Sequence, residues 1–239
     1  MMYGYGNMIS PSNRLFIGGG GGANPLWNGL QAYYTADNTP NDALGNYNGT
    51  LVNGATYGTG IINQGFILDG VNDYVDLGNV LDFDASTPFS FSFWVQNTTL
   101  TDRAIMGKWS GSNTGYLIFM ISGKLRFALS NNVSTNLLRI DTVNSLTTAM
   151  THICITYDGT KDVSGLKVYF NGVNQSLTTI NNTLTGSTST SANFNIGLPP
   201  SGLNYFGGII DEVSIFNAVK IPSEVTELYN SGAGKQYPN

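Results

Sequence analysis

The acidic residues of this sequence are the first place to look for chemistry, because hydrolysis of a glycosidic bond needs two carboxyl groups. In a retaining enzyme these groups lie about 5 Å apart, a separation that acids at positions i and i+2 of one strand provide. The chain contains three glutamates, Glu212, Glu224 and Glu227. Glu212 lies in a strand-like stretch, but Ile210 and Ser214 occupy the positions two residues away. We therefore predict that the protein is not an enzyme of this kind.

A second acid, Asp211, stands in the same stretch, Phe206–Asn217, which reads as a strand that begins after a pair of glycines. Strict alternation places Ile209, Asp211, Val213 and Ile215 on one face. A carboxylate that points towards a core is costly unless it is hydrogen-bonded or bound to a cation. Two interpretations of Asp211 stay open: an acid held by hydrogen bonds, or part of a cation site.

The loop between Asp37 and Gly49 is the candidate partner of Asp211 in a cation site. The loop is rich in Asp and Asn, and their side-chain oxygens, together with backbone carbonyls, suit calcium. It lacks the spacing of an EF-hand, and an ordinary polar loop is the competing interpretation. The cation-site interpretation predicts calcium at Asp37, Asn46 and Asp211.

The single histidine and the single cysteine show no catalytic pattern. No serine or cysteine can be identified as the partner of His152 in a catalytic triad. Cys154 stands in an apolar run, where a buried and unreactive thiol is expected. The five consecutive glycines near the N-terminus lack the lysine and the strand-to-helix context of a phosphate-binding loop. We predict no catalytic residues.

Aromatic residues on strands favour binding over catalysis. In the run Phe89–Val95 the phenylalanines alternate with serines, so the phenylalanines face the core and Trp94 faces away. If His152–Tyr157 and Leu166–Phe170 are its neighbours in a sheet, the outward faces of all three strands are continuous. Aromatic rings beside polar groups suit sugars, and an ordinary solvated sheet face is the alternative. The predicted ligand-binding residues are Trp94, His152, Lys167 and Tyr169.

Composition and charge limit the kinds of molecule that the protein is expected to bind. Of the 239 residues, 10% are charged and 41% are hydrophobic, and 30 are glycine, which is typical of a many-stranded, loop-rich protein. The net charge of -5 argues against nucleic acids and anionic membranes as partners. No apolar run approaches the length of a membrane span. The N-terminal residues lack the charged start and continuous apolar segment of a signal peptide, so we expect synthesis in a cytoplasm and no membrane insertion.

Residues 1–26 differ in composition from the rest of the chain. Leu15, Phe16 and Ile17 stand just before the five consecutive glycines, which break any regular element. We predict an extended N-terminal arm at residues 1–26 that docks on another subunit through these three apolar residues. A flexible tail is the alternative. Residues 27–239 form the predicted folded domain.

The rest of the chain reads as about a dozen short strands and one helix. The strands are runs of β-branched and aromatic residues separated by turn residues, such as the hairpin pair Asn171–Gly172. Pro222 fits the first turn of a helix that ends before Gly232. These features predict an all-β fold: a two-sheet antiparallel jelly-roll sandwich with one short C-terminal helix and the N-terminal arm.

Short motifs occur in a characteristic order over about residues 27–231. They are Asn48–Leu51, Phe66–Gly70 with Asp73–Val75, Phe89–Val95, His152–Gly159, Val168–Gly172, Asn195–Gly197, Gly208–Val213 and Pro222–Tyr229. In this order they resemble the laminin-G-like, concanavalin A-like jelly-roll family. The resemblance implies two antiparallel sheets of about six or seven strands each, and in some relatives calcium at a sheet edge, but it does not imply a particular ligand. Met150 departs from the family, which usually has tryptophan two residues before the histidine.

These observations together predict a non-enzymatic structural or decoration protein of a bacteriophage virion. Its N-terminal arm would dock on capsid or tail subunits, and its jelly roll would lie at the virion surface, where it could hold host-surface glycans. The prediction rests on a glycan-binding type of fold, the lack of a recognised secretion signal and the docking-like arm. A homo-oligomer is compatible with it. The alternative is a carbohydrate-binding or adhesion module of a cell-surface protein, located at the extracellular surface.

Overall fold

The structure, a computed structural model, describes residues 24–199 and 204–238. Within these residues the chain forms sixteen β-strands and one α-helix. The strands are β1 (Leu30–Tyr34), β2 (Thr50–Val52), β3 (Thr56–Thr59), β4 (Gln64–Asp69), β5 (Tyr74–Asp76), β6 (Phe89–Asn97), β7 (Arg103–Trp109), β8 (Gly115–Ile121), β9 (Lys124–Asn132), β10 (Asn136–Ser145), β11 (Thr151–Tyr157), β12 (Leu166–Phe170), β13 (Val173–Asn174), β14 (Leu177–Asn182), β15 (Phe194–Ile196) and β16 (Gly207–Phe216). The helices are α1 (Pro222–Tyr229) and three single 3-10 turns, Pro25–Trp27, Val163–Gly165 and Asn230–Gly232.

The strands form two antiparallel sheets of eight. Sheet A has the order β13-β12-β11-β6-β16-β4-β3, and β1 also pairs with β16. Sheet B has the order β14-β10-β9-β8-β7-β15-β5-β2. The predicted two-sheet jelly roll with a short C-terminal helix is confirmed. Each sheet has more strands than the resemblance implies, because short strands such as β2, β3 and β13 extend the edges.

The predicted arm falls mostly outside the described residues. Its proposed docking residues Leu15, Phe16 and Ile17 all lie there. The described chain begins at Asn24, and Leu26 is already buried against the domain. The division into an arm at 1–26 and a domain at 27–239 stays a prediction.

Alternating aromatic residues of β6 form the centre of the core. Phe89, Phe91 and Phe93 are fully buried and face sheet B, as their period of two predicts. Phe89 contacts Tyr116 of β8 and Phe127 of β9, with ring centroids 6.0 Å apart in both pairs. Burial of such large apolar side chains is the main favourable contribution to folding. These contacts hold the two sheets face to face.

Helix α1 covers the outer face of sheet A. Pro222 begins the helix, as predicted, because the fixed φ of proline suits the first turn and its missing N–H is not needed there. Val225 packs against Cys154 and Tyr169 on the sheet. This is the one α-helix of the described residues, and no helix of the described part is long and apolar enough to cross a membrane. No α-helix of residues 24–199 and 204–238 covers the outer face of sheet B.

A β-bulge interrupts β16 at its two acids. The register with β6 shifts between Asp211 and Ser214, and Glu212 has a φ of 51°, in the left-handed region. At the same point the other edge of β16 changes partner from β4 to β1. Ile210 and Val213 both lie in the core, so the prediction that Asp211 shares a face with Val213 is wrong.

Candidate functional site

The sheet face that was predicted to bind sugars is covered by α1. Its strands β6, β11 and β12 are neighbours, as expected. Trp94, His152 and Tyr169, however, are only 3%, 1% and 2% exposed. Tyr229 of α1 stacks on Trp94 with ring centroids 5.7 Å apart. The prediction is wrong for Trp94 and His152, on which Tyr229 stacks. Tyr169 lines a cavity of about 250 Å³ together with Lys167, which is exposed and lies on the second strand from the sheet edge. That these two residues contact a ligand stays a prediction.

His152 and Cys154 are structural groups. The Nε2 atom of His152 lies 2.8 Å from the hydroxyl oxygen of Ser92, and its ring stacks on Tyr229. Burial lowers the pKa of His152 to about 3, so the ring is neutral at physiological pH. Burial raises the pKa of the Cys154 thiol, as expected for an unreactive core cysteine.

Backbone N–H groups hold the carboxylate of Asp211. The N–H groups of Ile61 and Ile62 donate to Oδ2 at 2.8 and 3.2 Å, and that of Glu212 donates to Oδ1 at 2.7 Å. Gly60 makes room for the carboxylate, because a Cβ at this position would overlap with Oδ2. Burial raises the pKa of Asp211 to about 7. Of the two interpretations left open by the sequence, the structure shows the hydrogen-bonded acid.

The residues predicted to bind calcium do not fit the ion. Asp37 accepts hydrogen bonds from the Gln64 N–H and the Asn63 side chain at 3.0 and 3.2 Å, and the side chain of Asn46 is exposed. Calcium takes about 6–8 oxygen ligands, whereas N–H donors face the two aspartates. No group of three or more His, Cys, Asp or Glu residues in the described chain could hold a metal. Asp37, Asn46 and Asp211 therefore form no site that suits calcium.

Glu212 joins the bulge to β1 and to the C-terminal residues. Its carboxylate accepts hydrogen bonds from the hydroxyl of Tyr33 and, at 3.2 Å, from the side-chain amide of Gln236. The residue is 4% exposed. Burial raises its pKa to about 8, against the opposing effect of the Tyr33 hydrogen bond. These contacts give Glu212 a structural role.

The outer face of sheet B contains a groove that the sequence-based predictions did not include. Along β8, β9 and β10, alternate side chains such as Ile118, Phe127 and Ile140 point into the core, and those between them point outward. We call the cavity between the outward side chains the outer groove. Its lining includes Trp109, Leu117, Phe119, Arg126, Ala128 and Arg139.

Strand register places the lining residues side by side. Gly107 pairs with Leu117, Leu117 with Ala128, and Ala128 with Arg139. On the other side of β7, Gly107 pairs with Asn195 of β15. With neighbouring strands about 4.8 Å apart, this row of five residues spans about 19 Å. The groove deepens where the row has glycine or alanine, because these residues have little or no side chain.

The dimensions of the outer groove suit a small ligand. Its volume is about 290 Å³, close to the lower end of the usual range of about 300–1,000 Å³ for ligand sites. An adjoining cavity of about 110 Å³ is lined by Trp109, Leu117 and Asn195. The lining combines aromatic and apolar surface with a few polar groups, which is typical of a binding site.

Charge is distributed unevenly within the groove. Arg126 forms a two-point ion pair with Asp141, with N–O distances of 2.7 and 2.8 Å, and this pair raises the pKa of Arg126. Arg139 forms no ion pair in the described part of the chain. Its Nε is buried and has no hydrogen-bond partner among the described residues. Burial, and then repulsion by Arg126, lowers the pKa of Arg139.

The sequence contains a weak signal for this site. Each of two apolar runs, Leu125–Ser130 and Leu137–Ile140, is predicted as a strand and has one arginine on its polar face. Nothing in the sequence specifies that these strands are neighbours, or that Trp109 and Phe119 lie on the same face. The groove can therefore be located only when the register between four strands is known.

Comparison with known families assigns the chain. A family model for the concanavalin A-like lectin/glucanases superfamily matches residues 69–226, which is more than half of the chain. The chain belongs to this superfamily. The matched residues include every lining residue of the outer groove named above. No curated protein matches the chain in sequence.

Solved structures of this superfamily's fold are similar to the chain. Domain 4 of AbnA, a GH43 extracellular arabinanase from Geobacillus stearothermophilus, in complex with arabinotriose, has 23% identity and a TM-score of 0.56, over 83% of this chain and 97% of that domain. The binding domain of Paraclostridial Mosquitocidal Protein 1 has 20% identity and a TM-score of 0.68, over 87% and 53%. The ligand binding domain of botulinum neurotoxin serotype D, in complex with N-acetylneuraminic acid, has 17% identity and a TM-score of 0.62, over 84% and 50%. The chain thus spans about half the length of the two toxin domains, and these likenesses show the fold.

Proposed function

We propose that the chain is a non-enzymatic carbohydrate-binding domain that holds a saccharide in the outer groove. The observation that carries this proposal is the composition of the groove, in which Trp109 and Phe119 offer aromatic surface beside Arg126 and Arg139. Aromatic faces pack against the C–H faces of sugar rings, and guanidinium groups donate hydrogen bonds to sugar oxygens. A concave, mostly apolar site with a few polar groups is the usual form of a small-ligand site.

The carboxylates of the described residues support binding without hydrolysis. A glycosidase needs one carboxyl as the acid and a second as the nucleophile or base. The groove lining includes no carboxylate among the described residues, and Asp141, on the same face, is bound through both oxygens to Arg126. Glu212 lies buried in sheet A.

Two of the similar structures also support a saccharide as the ligand. The AbnA domain was solved with arabinotriose, and the neurotoxin serotype D domain was solved with N-acetylneuraminic acid. Both are domains of the same two-sheet fold with saccharides bound. The outer groove is the place in this chain where we propose that such a ligand binds.

Binding of a glycan array by the purified chain tests the proposal, followed by calorimetric titration with the best ligand. We expect Trp109→Ala and Phe119→Ala each to weaken binding roughly tenfold or more, since tenfold corresponds to about 1.4 kcal/mol, the size of an aromatic stacking contribution. Lys167→Ala, on the opposite sheet, is the matched control and should bind like the wild type. Loss of binding in Lys167→Ala alone, or turnover of the glycan, would contradict the proposal.

We also propose a location for the domain: the surface of a bacteriophage virion, attached to a capsid or tail subunit through residues 1–26. The composition of this segment supports the proposal, with Leu15, Phe16 and Ile17 followed by glycines. Deletion of residues 1–23 should abolish co-sedimentation with purified virions and leave thermal unfolding unchanged. Retained co-sedimentation would contradict the docking role of residues 1–26, and a full-length chain that does not co-sediment would favour the alternative, an adhesion module at a cell surface.

A further inference from the structure

We propose that the outer groove selects acidic saccharides, and that Arg139 binds the carboxylate of the sugar. This inference rests on the proposed carbohydrate-binding function of the groove and specifies its ligand class. The acidic group is a planar carboxylate, as in a uronic acid or a sialic acid.

The first argument is the difference between the two arginines of the groove. Arg126 has its counter-charge, Asp141, bound at both oxygens. Arg139 is on the adjacent strand and lines the same cavity, but forms no ion pair with any described residue. One arginine of the groove lining therefore lacks an ion-pair partner among the described residues, although the chain as a whole has a net charge of -5.

The second argument is that Arg139 is partly desolvated. Its Nε is buried without a hydrogen-bond partner in the described chain, and burial lowers its pKa. A buried charge that lacks a partner is costly, and an anion that binds it removes this cost. The guanidinium fork matches a carboxylate in two-point geometry, as the pair between Arg126 and Asp141 in the same groove shows.

The third argument is the position of the other unpaired polar atoms. Six buried side-chain atoms of the described residues lack a hydrogen-bond partner, and three of them belong to residues on the outer face of sheet B: Ser130 Oγ, Arg139 Nε and Asn195 Oδ1. Asn195 and Arg139 stand at opposite ends of the row that crosses the groove floor. Buried polar groups are normally satisfied. An oligosaccharide that extends along this row, with its carboxylate at Arg139, would supply an oxygen for the guanidinium and, from a sugar unit at the other end, a hydroxyl donor for the Asn195 carbonyl oxygen.

The overall charge of the protein favours a small acidic ligand over a large anionic surface. A chain of net charge -5 is repelled by polyanions such as nucleic acids and acidic membranes. A single cationic site within a cavity of about 290 Å³ recognises one carboxylate on a sugar of limited size.

Calorimetric titration with matched pairs of saccharides tests the inference. Oligogalacturonate is compared with neutral galactose oligomers, and sialyllactose with lactose, so that the two sources of a sugar carboxylate are separated. We expect one acidic ligand to bind roughly 10- to 100-fold more tightly than its neutral partner, the range expected for a charge-assisted hydrogen bond. The preference should decrease as salt concentration rises.

Two variants test whether Arg139 is the residue that gives the preference for acidic saccharides. Arg139→Gln should remove the preference, so that the acidic ligand and its neutral partner bind the variant with similar affinity. Arg103→Gln, an arginine on the same sheet that is not in the groove lining, is the control and should keep the preference. Near-ultraviolet circular dichroism of each variant confirms that it is folded.

The outcomes separate the two proposals. Binding of neutral sugars that depends on Trp109, without a preference for their acidic partners, would overturn the role of Arg139 and leave the proposed function standing. A preference that survives in Arg139→Gln would overturn it as well. Failure of every saccharide to bind would overturn both.

Discussion

Replacement of Glu212 by glutamine should change the way in which stability depends on pH. The carboxylate is buried in the bulge of β16 and accepts hydrogen bonds from Tyr33 on β1 and from Gln236 near the C-terminus. Glutamine has nearly the same shape and retains an acceptor oxygen for Tyr33. The substitution therefore removes the titrating group and preserves most of the packing.

The direction and size of the effect follow from the pKa. Burial raises the pKa of Glu212 from 4.5 to about 8. Below pH 4.5 the group is protonated in both the folded and the unfolded chain. Between pH 4.5 and about 8 the unfolded chain releases this proton and the folded chain keeps it, so the free energy of unfolding decreases as pH rises. At about 1.4 kcal/mol per pKa unit, Glu212 lowers the stability by as much as about 5 kcal/mol over this range.

Urea denaturation at several pH values between about 4.5 and 8.5 measures this effect. At the acidic end, the Glu212→Gln variant should be as stable as the wild type or less stable by about 1 kcal/mol. The loss would arise because the added NH₂ group needs a hydrogen-bond acceptor. At the alkaline end the variant should be more stable than the wild type by about 4 kcal/mol, since the cost of ionising a buried carboxyl is absent. Glu227→Gln, whose side chain is 46% exposed, is the matched control. Parallel stability curves for wild type and Glu212→Gln would refute the reasoning.

Two further substitutions test the packing around the same sheet. Gly60→Ala should lower the free energy of unfolding by about 2–4 kcal/mol, because its Cβ displaces the buried Asp211 carboxylate from the N–H groups of Ile61 and Ile62. Thermal and urea unfolding measure the loss, and a variant as stable as the wild type would contradict this account of Asp211. Trp94→Ala should cost about 3–5 kcal/mol because it removes the ring on which Tyr229 stacks. The glycan affinity of this variant, measured by calorimetry, should equal that of the wild type. A folded Trp94→Ala variant that no longer binds glycan would indicate that the ligand site lies on sheet A.

The elements of the fold could be predicted from local patterns. The alternation of Phe and Ser in β6 shows which side chains enter the core, since successive side chains of a strand point to opposite faces. Pro222 marks the first turn of α1, and its position agrees with the structure. Neither prediction depends on residues distant in sequence.

The location of the proposed binding face could not be predicted in the same way. Alternation correctly turns Trp94 outward, but it does not show that α1, more than 120 residues later, packs over that face. Trp109 and Arg139 come from strands that are brought together only through β8 and β9. A site built from cross-strand neighbours depends on register, which is a tertiary property.

The bulge at Asp211 and Glu212 shows a different limit. Under strict alternation, one of two adjacent acids in an apolar strand must point towards the core. This conflict is visible in the sequence. The resolution is a residue at positive φ, which places Asp211 against the N–H groups of Ile61 and Ile62 and Glu212 against Tyr33. Bulges commonly redirect side chains in this way. A pair of acids inside a strand could therefore have been interpreted as a bulge rather than as a cation site.

Under the two proposals, attachment and ligand binding use different faces of the sandwich. The first and last described segments meet on the outer side of sheet A, where Trp27 contacts Tyr237 with ring centroids 5.4 Å apart and packs with Leu228 of α1. Asn24–Trp27 and Tyr237 therefore lie on the side that α1 covers. The outer groove lies on the outer face of the opposite sheet, sheet B. A domain attached through residues 1–26 would thus present the groove to solvent, which is the arrangement that display of a glycan-binding site on a particle or a cell surface requires.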